Sequence, residues 1–192
     1  MPGRPSRLIG FARVSVAVCH VAYDPAVDAY QAIVSKRDTR RYADRPVPAD
    51  VEERVLQAGR ISGSARNRQP WRFLVVESDE ARDALAGAVY APDNVRGARL
   101  VIAIVSSGGM DTGRCAQNMM LAAWNDGVAS CPNGIADADG ARSALGLGED
   151  DTIGTVLTFG YPAHGRTGES RPVDEWIARA ERKPLDEIVS RV

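Results

Sequence analysis

Residues 62–73 read SGSARNRQPWRF and run directly into the apolar residues 74–76. The small polar residues expose backbone amides and hydroxyls, and Asn67 and Gln69 can each donate and accept hydrogen bonds. The Pro-Trp pair stiffens the passage into an apolar strand. The stretch therefore predicts a ligand-binding turn at the entrance to a strand, with an ordinary helix-to-strand loop as the alternative.

A second cluster lies upstream, where residues 36–41 read KRDTRR. Four cations in six residues repel one another, and Asp38 is the only acid among them. Arginine forks match phosphate oxygens, so the cluster predicts a phosphate-binding segment. The alternative is a helix C-terminus decorated with cations that suit the helix dipole.

The whole-chain properties narrow the function classes. The chain has 192 residues, which fits one domain of ordinary size. Its net charge of −1 supplies no long-range field for nucleic acid or an anionic membrane, so we expect neither as a partner. Three cysteines fit neither a disulfide framework nor a zinc site, which suits a reducing cytoplasm and predicts no metal. Residues 1–24 make a poor secretory signal and are expected to be an extension of uncertain role.

Helical and strand patterns alternate along the chain without a fixed repeat. We predict a mixed α+β fold in which a sheet of four to five strands is flanked by helices. Asp24 and Pro25 are expected to start the first helix, and residues 92–97 to form a loop. The predicted helices cover 27–36, 46–60, 80–89, 111–125, 138–145 and 173–182, and the predicted strands 72–77, 100–105, 127–132 and 152–161.

Catalytic motifs are scarce. No G-x-G-x-x-G follows a strand, and no G-x-x-x-x-G-K-[ST], H-E-x-x-H or G-x-S-x-G occurs. The chain has two histidines, so imidazole catalysis is poorly supplied. A redox cofactor that carries its own chemistry would explain an enzyme with so few catalytic side chains.

The two clusters together resemble the signature segments of the nitroreductase family. Residues 36–40 are similar to that family's basic box, usually Arg-Arg-Ser-x-Arg, and residues 64–71 to its Ser-Ser-x-Asn-x-Gln-Pro-Trp. Weaker similarities fall at 111–123, 127–134, 160–162 and 182–185, so the resemblance runs from about Val27 to the C-terminus.

The resemblance implies a three-layer α+β sandwich that forms a homodimer, with residues 25–192 as one FMN-binding domain. Two sites would lie at the subunit interface, and Ser64 and Asn67 of residues 62–69, the polar turn, would reach the flavin from the neighbouring chain. NADH or NADPH would pass hydride to flavin N5, and a nitroaromatic, quinone or similar acceptor would take it. No side chain is expected to be catalytic. The residues implied in cofactor binding are Lys36, Arg37, Asp38, Arg40, Gly63, Ser64, Asn67, Gln69, Pro132, Asn133, Gly134, Arg182 and Lys183.

Some residues depart from the family pattern. Asp38 replaces the usual Ser, as in enzymes that cleave flavin to dimethylbenzimidazole, and it is unfavourable beside a phosphate unless Arg37 or Arg41 pairs with it. The chain after Gly134 is short, with little room for a substrate lid. Residues 90–99 could serve in part, with Asn94 or Arg96 near the cofactor. A flavin-cleaving enzyme and a non-catalytic flavin-binding protein therefore remain alternatives.

Overall fold

The computed structural model describes residues 28–165 and 170–192. Four strands pair antiparallel in one sheet with the order β1-β2-β4-β3. The predicted α+β fold with a four-stranded sheet is thereby confirmed. The strands are β1 (Arg72–Val75), β2 (Leu100–Val105), β3 (Ala129–Asn133) and β4 (Ile153–Gly160).

Helices cover both faces of this sheet. None of the helices within 28–165 and 170–192 is long and apolar enough to cross a membrane. Their bounds are α1 (Ala29–Ser35), α2 (Ala49–Arg60), α3 (Asp79–Gly87), α4 (Pro92–Gly97), α5 (Gly109–Asn125), α6 (Ala138–Ala144), α7 (Val173–Ala178) and α8 (Leu185–Ile188).

Strand β2 is buried along its whole length and divides the core into two halves. Successive side chains point to opposite faces of a strand, so Leu100, Ile102 and Ile104 pack with α2 and α5. Val101 and Ala103 pack on the opposite face with α3, α4 and α6. The continuous apolar sequence of β2 follows from this three-layer arrangement.

The element boundaries differ most from the predictions in three places. Residues 92–97 form helix α4 instead of the predicted loop, because burial of Val95 and a hydrogen bond from Asn94 stabilise the helix, and Pro92 is compatible with its first turn. Helix α7 ends at Ala178, and α8 was not predicted. The predicted start of the first helix at Asp24 lies outside the described residues. Asp28 caps α1, accepting from the Tyr30 N–H at 2.6 Å.

Gly160 at the end of β4 has no room for a side chain. A Cβ there would lie 2.8–2.9 Å from three atoms of Tyr42, including its own Cβ. These atoms are close to the Tyr42 backbone and cannot move aside easily. We expect Gly160→Ala to lower the free energy of unfolding by about 1–3 kcal/mol, as overpacking does. Urea unfolding without added cofactor measures this.

Gly87→Ala is the matched control, since a Cβ at Gly87 meets nothing within 4 Å. It lies at the end of α3, where Ala has the better helix propensity, so stability should hold or rise. Equal stability of the two variants would contradict the packing described for Gly160.

Candidate functional site

The basic segment, residues 36–41, lies along the exposed edge of the sheet. Helix α1 is tied to α5 where the Trp124 indole N–H donates to Ser35 Oγ at 2.8 Å. Asp38 then forms a β-bridge with Ser130, and the Thr39 N–H donates to the Ser130 carbonyl at 3.1 Å. Because Ser130 belongs to β3, the basic segment runs beside the strand that leads to Pro132, Asn133 and Gly134. Two of the four groups of predicted site residues, 36–40 and 132–134, are therefore neighbours.

The partner of Asp38 is Lys36. Lys36 Nζ lies 2.5 Å from Asp38 Oδ1 and 3.4 Å from Met120 Sδ, and its side chain is only 8% exposed. We expected Arg37 or Arg41 to neutralise this carboxylate, and the structure assigns that role to Lys36. Because Asp38 pairs with Lys36, it does not neutralise Arg40 or Arg41, which follow it in the chain.

Arg37 and Arg40 occupy different environments. The Arg37 guanidinium donates to the carbonyls of Val34, Lys36 and Trp176 at 2.6–3.0 Å and lies over the Trp176 ring. It thus joins α1 to α7. Arg40 is exposed and lines a cavity of about 190 Å³ with Asp38, Thr39, Arg41 and residues 162–164. Of these two, Arg40 is the one placed to meet a ligand.

The polar turn is held by α5 and by its own hydrogen bonds. The Ala65 N–H donates to Asp111 Oδ2 at 3.0 Å, and Asn118 Nδ2 donates to Ser62 Oγ at 2.8 Å. Ser64 Oγ accepts from the Gln69 N–H at 2.8 Å and so closes the turn. A Cβ on Gly63 would come within 2.6 Å of the Arg114 guanidinium, which is the end of a flexible side chain and can move aside.

Three residues of the turn adopt left-handed backbone conformations. Arg66, Asn67 and Gln69 have φ of 55°, 54° and 50°. This conformation costs roughly 1–2 kcal/mol for an ordinary L-residue, and less for Asn. Backbone strain of this kind concentrates at functional sites. In this turn, the side chains of the strained residues Asn67 and Gln69 lie on the exposed surface.

The polar turn and the basic segment contact opposite faces of α5. The turn meets the face of Asp111, Arg114 and Asn118, whereas Lys36 meets the face that carries Met120. At 3.6 residues per turn these two faces point about 150° apart. One chain therefore presents the two segments on different sides of the helix.

The end of β3 is built as a backbone surface. Asn133 is buried, and its Nδ2 donates to Cys131 O, Val156 O and Thr158 Oγ1 at 3.1–3.3 Å. Its side chain is therefore structural. Pro132 and Gly134 on either side are exposed.

Helix α4 also contacts this surface. From the sequence, its residues were predicted only as a loop that could lie near the cofactor. Asn94 Nδ2 donates to Asn133 Oδ1 at 2.8 Å, and the Tyr90 N–H donates to the Gly134 carbonyl at 3.1 Å. The Tyr90 ring is 78% exposed and lies where a Cβ on Gly134 would contact it at 3.1 Å. Arg96 instead pairs with Asp83 at 3.2 Å.

Two further cavities open beside these residues. One of about 590 Å³ lies between the basic segment and α4, lined by Arg40, Arg41, Tyr42, residues 90–94 and Gly97. Another of about 330 Å³ lies between α5 and the sheet, and Pro132, Met120, Thr112 and several glycines line it. Gly108 and Gly109 have φ of 83° and 81° and turn the chain directly from β2 into α5.

Buried titratable groups near the basic segment stay protonated. Burial raises the pKa of the Cys131 thiol, and the nearby Asp38 carboxylate raises it further. Burial also raises the pKa of Tyr42, whose hydroxyl lies 3.0 Å from Thr158 Oγ1. The sequence alone indicates no role for Tyr42. Its position directly after the six polar residues 36–41 marks the point where the chain returns to the core. Neither group offers a base at neutral pH.

The C-terminal cations are the least anchored of the predicted site residues. Arg182 and Lys183 are exposed and follow α7, which packs on α1 beside Arg37. The structure therefore brings the start of this segment to the basic segment. Among the described residues, neither cation has an ion pair that would fix its side chain there.

Comparison with known proteins adds a family to this geometry. The model of the nitroreductase family matches residues 33–105 and 106–161, more than half of the chain. The chain belongs to the nitroreductase family. The predicted resemblance is thereby confirmed, and the match includes the basic segment, the polar turn and the end of β3.

Individual nitroreductase relatives agree with this assignment. A protein of Methanothermobacter thermautotrophicus named as an NADH dehydrogenase/NAD(P)H nitroreductase is 26% identical over 150 residues, 71% of this chain and 78% of its own. A nitroreductase of Desulfovibrio desulfuricans in complex with FMN is 27% identical, with a TM-score of 0.72 over 86% of this chain and 98% of its own. A nitroreductase family protein of Clostridium difficile 630 is 26% identical, with a TM-score of 0.71 over 85% and 98%.

The role of Asn133 can be tested separately from any ligand. Asn133→Ala removes one donor from three buried acceptors, so we expect the free energy of unfolding without cofactor to fall by about 1–3 kcal/mol. Asn125→Ala, at an exposed position near the end of α5, should change it by less than about 0.5 kcal/mol. Chemical unfolding measures both. Unchanged stability in Asn133→Ala would assign its side chain to ligand binding instead.

Proposed function

We propose that this nitroreductase family member is an FMN-dependent oxidoreductase. It passes a hydride from NADH or NADPH to a small acceptor such as a nitroaromatic or a quinone, and the acceptor gains a proton from water. The observation that carries the proposal is the contact of the basic segment with β3, which sets the exposed Arg40 beside the exposed backbone surface of Pro132 and Gly134.

The donor groups of this region fit FMN. Arg40 and Arg41 line a cavity of about 190 Å³, where two guanidinium forks can meet phosphate oxygens. Pro132 and Gly134 are exposed, and a Cβ on Gly134 would crowd the Tyr90 ring at 3.1 Å. The amides of Asn67 and Gln69 match the alternating donors and acceptors of a pyrimidine edge. When bound, FMN supplies the redox chemistry.

The chain contributes binding and electrostatics to this reaction. Arg40 and Arg41 place positive charge where the phosphate of the cofactor would lie, and charge-assisted hydrogen bonds there would hold the cofactor in position. Lys36 neutralises Asp38 and so keeps that carboxylate from repelling the phosphate. The neutral Tyr42 and Cys131 add no competing charge.

The complete site combines two copies of the chain. The basic segment and the polar turn contact faces of α5 that point about 150° apart, so one cleft that uses both needs the turn of a second chain. The face of α5 that lies between them is available for this contact, and its Met110 is 79% exposed. A two-fold homodimer would then carry two equal sites.

Arg40→Ala tests the phosphate contact. We expect FMN affinity to fall about tenfold to a hundredfold, because a charge-assisted hydrogen bond contributes about 1.5–3 kcal/mol. Stability without FMN should hold, because Arg40 is exposed. Arg37→Ala should instead lower stability, since three carbonyls lose their donor. Flavin fluorescence titration and urea unfolding measure the two effects.

Arg142→Ala on α6 is the control and should retain normal FMN affinity. If Arg40→Ala binds FMN as tightly as the parent, the phosphate contact lies elsewhere. Parent protein that stays colourless after FMN is added would refute the proposed function itself. Formation of dimethylbenzimidazole from reduced FMN and oxygen would favour the flavin-cleaving enzyme. A yellow protein that does not turn over NAD(P)H would favour the non-catalytic flavin-binding protein.

Mixing two defective variants tests the shared site. Arg40→Ala damages the basic segment and Asn67→Gly removes the turn's amide while permitting its left-handed backbone. Mixed dimers would hold one doubly damaged site and one intact site. Random reassortment of the two variants should therefore restore about a quarter of the normal sites.

High-affinity FMN sites are counted after co-refolding, with each variant refolded alone as the control. No recovery in the mixture, together with recovery of half the sites in a parent–variant mixture, would place the entire site within one chain. A monomer in light scattering would lead to the same conclusion.

A further inference from the structure

Two arginines flank Asn67 at the tip of the polar turn. Residues 60–72 contain four arginines and no acid, in a chain whose net charge is −1. The charged side chains of this stretch are therefore all positive, whereas acidic and basic residues are nearly equal in number over the whole chain. Its four cations are Arg60, Arg66, Arg68 and Arg72.

The outer pair of these arginines is engaged and the inner pair is not. Arg72 Nη2 pairs with Asp151 Oδ1 at 2.9 Å, and Arg60 Nε donates to Gln57 Oε1 at 2.6 Å. Within residues 28–165 and 170–192, neither hydrogen bonds nor ion pairs engage the exposed side chains of Arg66 and Arg68.

Asp111 contacts the polar turn but does not neutralise Arg66 or Arg68. Asp111 Oδ2 accepts the Ala65 N–H at 3.0 Å, and its Oδ1 lies 3.8 Å from Arg114. That carboxylate is therefore already shared between a backbone amide and another cation. Two unpaired guanidinium groups remain on either side of Asn67.

The backbone beneath the two guanidinium groups is fixed. The Asn67 N–H donates to Ser64 O at 3.0 Å, the Arg68 N–H donates to Ala65 O at 3.2 Å, and Ser64 Oγ closes the turn on Gln69. Arg66 is held at φ 55° while Arg68 is right-handed at φ −70°. A fixed backbone reduces the ordering that a ligand must impose, so the pair is preorganised to bind an anion.

We propose that Arg66 and Arg68 bind a phosphate group of the nicotinamide dinucleotide. The inference rests on the proposed function, which places Asn67 at the flavin of the partner chain, against which the nicotinamide ring must lie. The rest of the dinucleotide extends from that ring and carries its phosphates to the rim of the site. Arginine forks match phosphate oxygens in bidentate fashion, which a single exposed lysine does not do. The group is either the pyrophosphate shared by NADH and NADPH or the 2′-phosphate of NADPH.

The test compares FMN-loaded parent, Arg66→Gln, Arg68→Gln, the double variant and Arg60→Gln. Arg60→Gln removes the same charge from the same stretch at a residue already bonded to Gln57, and so controls for the general field. Two probes are titrated by calorimetry: adenosine 2′,5′-bisphosphate and ADP. Anaerobic flavin reduction by NADPH and by NADH is followed on the same samples, with flavin content and circular dichroism recorded first.

We expect the double variant to bind at least one probe about tenfold more weakly or worse, with flavin content unchanged. A loss confined to adenosine 2′,5′-bisphosphate and NADPH identifies the 2′-phosphate. Equal losses for both probes and both donors identify the pyrophosphate.

Changes below twofold for every ligand overturn the proposal, as does an equal loss in Arg60→Gln. Parent that is yellow and reduced by a dinucleotide, yet binds neither probe, also overturns it while leaving the proposed function standing. Parent that never binds FMN refutes the proposed function, and the probe titrations still report on the arginines directly.

Discussion

Helix α5 is the constraint on which the functional arrangement depends. Its buried face fixes it against α2 and the sheet, its Asp111 and Asn118 hold the polar turn, and its Met120 meets Lys36 on the other side. The helix cannot rotate to bring these two segments together without exposing that core. For the shared site that we propose, association of two chains and cofactor binding would therefore be coupled.

Charge in the basic segment is divided between structure and ligand. Lys36 and Asp38 neutralise each other, and Arg37 satisfies three carbonyls between α1 and α7. Only the cations that follow remain exposed at a cavity. This division explains how four cations can lie in six residues without destabilising the chain, since only Arg40 and Arg41 lack an ion pair or a structural hydrogen bond among the described residues.

The sequence was sufficient for the sheet, the long helix and the family, because β2 is continuously apolar and α5 is rich in helix formers. It failed at α4, where Pro92, Asn94 and Gly97 are turn residues locally and the helix is stabilised by burial of Val95 and by the Asn94–Asn133 hydrogen bond. It also could not separate Arg37 from Arg40, three residues apart with the same chemistry. That distinction depends on Trp176, whose carbonyl and ring come from 139 residues away.

The glycine pair between β2 and α5 has a consequence for substrate choice. Gly108 and Gly109 let the chain turn so tightly that one wall of the adjoining cavity is largely main chain and small side chains. Under the proposed function, an acceptor that enters this cavity would meet a wall that fits molecules of many outlines about equally well. Discrimination by shape would then be weak, and polarity and charge at the rim would decide which molecules receive electrons.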